Sequence, residues 1–223
     1  MHVNELPEKT QDYLKVIWDM QERGAELVGL MDIAEKMGEK KSTASEAIKK
    51  LSLQGFVEHV PYSGVSLTKK GSQLAVQMIR RHRLLETFLS ENLHYSWDEV
   101  HAEAEQLEHA VSDMFLERIE KLMGFPVADP HGDPIPTAEG KVEAISVYHL
   151  GQAAKGENVK IVRISDSDPE LLRYLAKSGI TPGTVVQVQA APFSGMAAVT
   201  VAGGSEQIML AESALDMINV EQQ

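Results

Sequence analysis

STASEAIKKLSLQGFVEHVPYSGVSLT, residues 42–68, changes its hydrophobic period halfway along. In the first half, Ala44, Ala47, Ile48 and Leu51 recur at three- and four-residue intervals, which is one face of a helix. Ser42 stands where a side-chain N-cap belongs, and Gly55 where a helix ends. In the second half, FVEHV and VSLT are short β-prone runs on either side of PYSG, with Gly64 available for the turn. A helix followed at once by a two-stranded hairpin is a specific arrangement.

The residues upstream extend the pattern. Pro7 opens a first helix at an N1-like position, with Tyr13, Val16, Ile17 and Met20 on its buried face and Gly24 at its end. LMDIAEKMG, residues 30–38, reads as a short second helix with Ile33, Ala34 and Met37 inward. Helix, helix, turn, helix and hairpin is the order of a winged helix-turn-helix. Lys40, Lys41, Ser42, Thr43, Ser45, Glu46 and Lys49 then fall at the start and outward face of the third helix. Short hydroxyl side chains allow close approach to a DNA groove, and lysines and backbone N–H groups hold phosphates. By itself this helix reads equally well as a solvated one; the wing favours DNA. Glu46 either accepts from a cytosine amino group or lowers non-specific affinity. Tyr62 and Ser63 are the exposed candidates at the wing tip.

Downstream, residues 69–92 place Leu74, Met78, Leu85 and Leu89 on one side of a long helix. Residues 97–123 read as a second long helix. Its apolar stripe is Val100, Ala104, Leu107, Val111, Met114 and Leu122, widened by Phe115 and Ile119, and it suits core packing or a dimer interface. FPVADPHGDPIPT, residues 125–137, holds four of the nine prolines and cannot continue a helix. Beyond it, VKIVRIS and TVVQVQA read as strands. The expected fold is mainly α with a small β domain. Residues 1–73 form the winged helix-turn-helix, 74–140 a helical metal-binding and dimerisation domain ending in the Pro-rich linker, and 141–223 the β domain.

The chain has 223 residues and no cysteine, which excludes disulfides and thiolate metal sites. No run approaches the length of a membrane span, and MHVNELPEKT lacks the order of a signal peptide, so a cytoplasmic location is expected. The net charge of −12 argues against nucleic-acid binding for the chain as a whole. That charge is unevenly spread. Residues 40–50 carry four lysines against Glu46 alone, whereas residues 71–124 carry 10 Asp/Glu against 5 Lys/Arg. A basic patch persists in an acidic protein, and acid is concentrated where a cation could sit.

The acid has a pattern. In VHAEAEQLEHAVSD, residues 100–113, His101, Glu105 and Glu108 follow i, i+4, i+7 spacing, and His109 lies four after Glu105. The first three each lie one residue after a member of the apolar stripe, so helical geometry rotates them about 100° from its centre, to the rim of the buried face. Carboxylates gathered there repel one another, and a divalent cation relieves the repulsion. A solvated acidic face is the plainer reading. The two histidines weigh against it, as do His82, which falls at the spacing of Met78, Leu85 and Leu89, and Glu86 one turn on. Oxygen and nitrogen donors suit Mn²⁺ or Fe²⁺, and Zn²⁺ or Co²⁺ also bind such sets. A di-metal carboxylate enzyme is one alternative, but no Glu-x-x-His motif, nucleophile–base pair, Gly-rich phosphate loop or HExxH accompanies the cluster, so no enzyme is expected. A winged-helix protein–protein module with a structural metal is another.

QDYLKVIW, STASEAIKKL, RRHRLLETFL and VHAEAEQLEHAVSD, in this order, resemble the diphtheria-toxin-repressor family of metal-dependent transcriptional repressors. The likeness spans nearly the whole chain and is nearest to the manganese transport regulators. It implies a C-terminal SH3-like β-barrel from about Val142, similar to ferrous-transport accessory proteins, carried by VKIVRISDSDPELLRYLAKSGITPGTVVQV. The iron-responsive members are implied to use Met and Cys where this chain has Asp12 and Glu105, and carboxylates there favour the harder Mn²⁺. By the same resemblance, Asp12, Glu105, Glu108 and His109 match a primary, activating site, and His82, Glu86 and His101 a second one. Lys15 occupies the position at which some short manganese regulators place a Glu, so two separated sites are expected and a close two-manganese cluster is not. Asp168 and Glu170 lie near the ligands that the third domain lends in longer members, although a solvated loop is the local reading. The implied function is a metal-activated homodimer that binds palindromic operator DNA and represses manganese uptake genes. An iron-dependent repressor is the alternative within the family.

Overall fold

A computed structural model describes residues 1–60, 63–190 and 195–223; of the two wing-tip candidates, Tyr62 lies outside the described residues and Ser63 is exposed. The chain divides into two compact units. One comprises Met1–His82, Glu108–Val111 and Pro136–Lys141; the other comprises Arg83–Leu107, Ser112–Ile135 and Val142–Gln223.

In the first unit, α1 (Glu8–Glu22), α2 (Leu30–Lys36) and α3 (Lys41–Leu53) precede β1 (Val57–Val60) and β2 (Gly64–Leu67), which pair antiparallel from Val57↔Leu67 to Val60↔Gly64. This is the expected winged helix-turn-helix. Leu14, Ile17, Ile33, Ile48, Leu51, Phe56, Val65 and Leu74 are buried together in one core. Full burial of such side chains is worth roughly 1.5–3 kcal/mol each. The long helix α4 (Lys69–Leu93) starts against this core, and a Cβ at Gly71 would lie 2.0 Å from the Phe56 carbonyl oxygen. Glycine at that position is therefore what lets α4 begin where it does. Two expected helix starts shift by one or two residues. Pro7 is the N-cap of α1, and Lys40 the N-cap of α3, so Ser42 lies inside the first turn and is not the N-cap.

The helix expected over residues 97–123 is two helices, α5 (Val100–Leu107) and α6 (Asp113–Leu122). Ser112 ends the run. Its backbone is extended (φ −85°, ψ 156°) and its hydroxyl accepts from the Phe115 N–H at 3.2 Å, a cap that competes with continuation. Val100 and Ala104 are buried as expected, but Met114 and Leu122 are exposed, because α6 turns Leu116 and Ile119 inward instead. Phe115 meets Phe88 of α4 edge to face, with ring centroids 6.1 Å apart.

The C-terminal part of the second unit contains β3 (Tyr148–His149), β4 (Asn158–Ile164), α7 (Pro169–Lys177), β5 (Val185–Val188), β6 (Met196–Val201), β7 (Gln207–Ala211) and β8 (Ile218–Gln222). The strands form one antiparallel sheet in the order β3-β8-β4-β5-β6-β7. Among the described residues β3 and β7 are its two edges, so this SH3-like domain is an open sheet and not a closed barrel. Alternate residues Val159 and Ile161 of β4, with Leu172 and Leu175 of α7, pack into its core. The β4–β8 register shifts between Ile161 and Arg163. Beside this irregularity the Asp129–Asp133 loop docks, with the Ile164 N–H donating to the His131 carbonyl at 2.9 Å.

Candidate metal centres and DNA-facing helix

In the first unit, donor atoms of Asp12, Glu108 and His109 all lie within 4.8 Å of one another. Asp12 comes from the second turn of α1, and the other two from the turn that follows α5. Asp12 Oδ1 is 3.0 Å from His109 Nε2. The other ring nitrogen is held from behind. Gln11, buried on α1, donates its amide N–H groups to the Val3 and Leu6 carbonyls at 3.2 and 2.8 Å. Its Oε1 must therefore accept, and it lies 3.0 Å from His109 Nδ1. This fixes the imidazole with Nδ1–H toward Gln11 and Nε2 toward Asp12, the orientation that a metal-ligating histidine needs. Gln11 is a candidate positioning residue that the sequence alone did not reveal.

Glu108 is fully buried. Lys15 Nζ lies 2.5 Å from its Oε1, and His82 Nδ1 lies 2.6 Å from its Oε2. Burial pushes the Glu108 carboxyl up, but the charges and hydrogen bonds of His82 and Lys15 outweigh burial and hold it below its usual value. The ligand thus stays ionised, with an ammonium group against it. His82, expected in the second site, also has its Nδ1 against Glu108.

The second unit holds two overlapping groups that share Glu86. In one, Glu86, His101 and Asp166 converge. His101 Nδ1 is 2.9 Å from Asp166 Oδ2 and 3.2 Å from Glu86 Oε1. Glu105, on the same face of α5, has Oε1 at 3.7 Å from His101 Nε2 and is half exposed. In the other, Glu86, Asp129 and His131 are all buried, with donor atoms within 4.8 Å of one another. Asp168, by contrast, is the N-cap of α7 and accepts from the Glu170 and Leu171 N–H groups at 2.9 and 3.1 Å, while the Glu170 side chain is exposed. Asp166, two residues earlier, reaches His101.

These groups fit a cation. His131 is fully buried, its Nε2–H donates to the Trp97 carbonyl at 2.6 Å, and its Nδ1 has no hydrogen-bond partner. The Nδ1 lone pair faces Glu86 Oε1 at 3.9 Å. A lone pair aimed at a carboxylate calls for a positive charge between them. Asp129 shows the same deficit: burial and the neighbouring Asp133 and Glu86 charges push its carboxyl well up, against Arg83 pulling it down. Of the nearby guanidinium groups, Arg163 pairs with Asp133, while Arg83 donates to the Pro134 carbonyl at 2.7 Å and keeps its Nε 3.8 Å from Asp129 Oδ2.

At His101 a proton fills the same role. Burial pulls its pKa down, but hydrogen bonds to Asp166 and Glu86, and their charges, raise it to about 11. The sign follows. A histidine raised from 6.5 contributes stability that is fully present below pH 6.5 and is lost as pH rises toward 11. An ion binding at Nδ1 at pH 7 to 8 must displace that proton. Titrating the protein with Mn²⁺ by calorimetry in two buffers of different ionisation enthalpy is expected to show about one proton released at this site. Identical heats in both buffers would contradict it.

The DNA-facing candidates Lys40, Lys41, Ser42, Thr43, Ser45, Glu46 and Lys49 are all exposed, while Ala44, Ile48 and Leu51 of the same helix are buried. One stripe of α3 is thus given to the core and the opposite one to solvent. Among the described residues no helix is long and apolar enough to cross a membrane.

Comparison with known proteins gives three consecutive family matches. Residues 5–65 match the family described as "Iron dependent repressor, N-terminal DNA binding domain", residues 68–137 "Iron dependent repressor, metal binding and dimerisation domain", and residues 148–222 "FeoA domain". The iron-dependent repressor IdeR of Mycobacterium tuberculosis is 29% identical over 98% of this chain and 99% of its own length. A solved structure described as a manganese-dependent transcriptional repressor in complex with manganese is 46% identical, with a TM-score of 0.90 over 96% of this chain and 100% of that one. The manganese regulator SloR is 34% identical, with a TM-score of 0.79 over 96% and 98%.

Proposed function

The chain belongs to the iron-dependent repressor family as a metal-dependent transcriptional repressor, and from that premise we propose that manganese is its activating ion and manganese uptake genes its target. The observation that carries the choice of ion is the donor set: Asp12, Glu108 and His109 in one group, and Glu86, His101, Asp129, His131 and Asp166 in the others, contain oxygen and nitrogen only. Sulfur donors would favour softer ions; carboxylates and imidazole suit Mn²⁺. Two of the similar solved structures carry manganese in their names, at 46% and 34% identity. The iron-dependent relative is more distant in sequence, at 29%.

Asp12, Glu108 and His109 would hold the activating ion, with Glu105 the further candidate from α5. Glu86 would serve the second site with His101 and Asp166 or with Asp129 and His131. A bound divalent ion supplies positive charge shared by donors that otherwise repel. The chain's own residues do the rest. Asp12 ties α1 of the winged helix to the Glu108–His109 turn, Gln11 orients His109, and Lys15 yields its contact with Glu108. Holding α1 in one pose raises the population of the DNA-competent state, and by linkage DNA tightens ion binding equally. A homodimer then presents two copies of α3 to the half-sites of a palindrome, with the exposed lysines on phosphates.

The test is fluorescence anisotropy on a duplex selected from a random pool with Mn²⁺ present. It is run without metal, with Mn²⁺ and with anaerobic Fe²⁺, at fixed salt because phosphate contacts make affinity salt-dependent. Binding that requires Mn²⁺ at concentrations where Fe²⁺ does not activate is the expected result. Activation by Fe²⁺ alone would reassign the ion, and metal-independent binding would remove the proposed switch.

A further inference from the structure

The recognition helix α3 has no side-chain cap at its N-terminus; Lys40, its N-cap, makes no such hydrogen bond. Its start is held by the residue before the cap. Glu39 Oε2 accepts a hydrogen bond from the Tyr13 hydroxyl at 2.6 Å, and Glu39 Oε1 pairs with Lys9. The Glu39 N–H also donates to the Ala34 carbonyl at 2.8 Å, closing the turn after α2. Tyr13 is buried, at 1% exposure. Lys9 and Tyr13 are one turn apart on α1, and Asp12 lies between them. The stretch of α1 that supplies a ligand of the candidate activating site therefore also grips the residue from which the chain enters α3.

We propose that Tyr13 and Glu39 are positioning residues that couple ion binding at Asp12 to the placement of α3 on DNA. The proposal rests on the activating site described above. Its physical basis is the stiffness of a short link. From Asp12 to Lys40 the path is one peptide unit, the Tyr13 and Glu39 side chains joined by one part-buried hydrogen bond, and one more peptide unit, with no flexible loop between them. The ends of the link keep their roles over a wide pH range. Burial and the hydrogen bond to Glu39 raise the Tyr13 phenol further above its ordinary value, so it remains a donor. Hydrogen bonds from Lys9 and Tyr13 hold the Glu39 carboxyl below its usual range, so it remains an acceptor. An ion that immobilises α1 at Asp12 thereby immobilises the N-terminal turn of α3, where Lys40, Lys41 and Thr43 are exposed.

The experiment compares wild type, Tyr13→Phe and Glu39→Gln in two separate measurements on the full chain: Mn²⁺ affinity by electron paramagnetic resonance, and DNA affinity by anisotropy with and without Mn²⁺. Tyr13→Phe keeps the ring in the core and removes only the hydroxyl. It is expected to bind Mn²⁺ within about twofold of wild type and DNA without metal as wild type does, while the gain in DNA affinity on adding Mn²⁺ falls roughly tenfold. Glu39→Gln keeps an oxygen acceptor for Tyr13 but loses the charge facing Lys9, and is expected to keep part of the gain. A full gain in Tyr13→Phe overturns the coupling. So does an equal loss of DNA affinity with and without Mn²⁺, which is what a purely structural anchor would give. A wild-type protein that binds Mn²⁺ without any gain in DNA affinity overturns the activating-site reading, and the coupling with it.

Discussion

Asp12→Ala is expected to bind operator DNA no better with Mn²⁺ than without it, a loss of roughly 100-fold in metal-dependent affinity. Of the three converging donors, Glu108 and His109 are adjacent in sequence and lie on one turn, while Asp12 alone comes from α1. Without Asp12 an ion can still meet Glu108 and His109, but it no longer ties the winged helix to them. The metal-free affinity for DNA is expected to stay within about twofold of wild type, because Asp12 lies outside the exposed face of α3 and an ion effect is a difference between two states. Removing the Asp12 carboxylate leaves the second unit with its own donors, so part of the bound Mn²⁺ is expected to remain. Anisotropy with and without Mn²⁺, with bound metal counted by elemental analysis, separates these effects. A variant that keeps its Mn²⁺ response would place the switch elsewhere, with the second site as the next candidate.

Gly132→Ala is expected to cost about 3 kcal/mol or more of stability and to remove one bound ion per chain. Gly132 has φ +89°, a conformation that L side chains rarely adopt, and an added Cβ would lie 1.9 Å from the Val162 carbonyl oxygen and 3.0 Å from Arg163 Cα. Relief requires the loop to lift away from β4. The loop is a tight unit: Asp129 Oδ1 accepts from the N–H groups of both His131 and Asp133 at 2.9 Å. Lifting it would withdraw His131 and Asp129 from Glu86. Thermal unfolding and Mn²⁺ stoichiometry measure the two effects. Unchanged stoichiometry with lowered stability would show that Asp129 and His131 are structural and that the second ion is held by Glu86, His101 and Asp166.

The sequence by itself determined the local elements and the chemistry of the donor strip. Helical periodicity, Gly55 and the hairpin pattern specify the winged helix, because these signals act over a few residues and need no distant partner. The i, i+4, i+7 spacing of His101, Glu105 and Glu108 places them on one face for the same reason. The break before α6 was legible too: Ser112 followed by Asp113 is an N-cap with an acidic first turn, but the continuing apolar stripe masked it.

Only the tertiary structure decided which donors meet. Lys15 and Glu108 are 93 residues apart, and Gln11 and His109 are 98 apart. No local pattern encodes such pairings; they depend on how α1 packs. His82 shows the limit most plainly. Its spacing predicts an inward side chain, and it is inward, but nothing in the spacing announces Glu108, 2.6 Å from its Nδ1. Asp129 and His131 were hidden in a segment whose prolines and glycine mark it as a linker. It becomes a candidate site because Gly132 lets that linker lie against the backbone of β4 and presents a buried imidazole to Glu86. Spacing along the chain decides which face a residue occupies, but the opposite face is set by packing across the core.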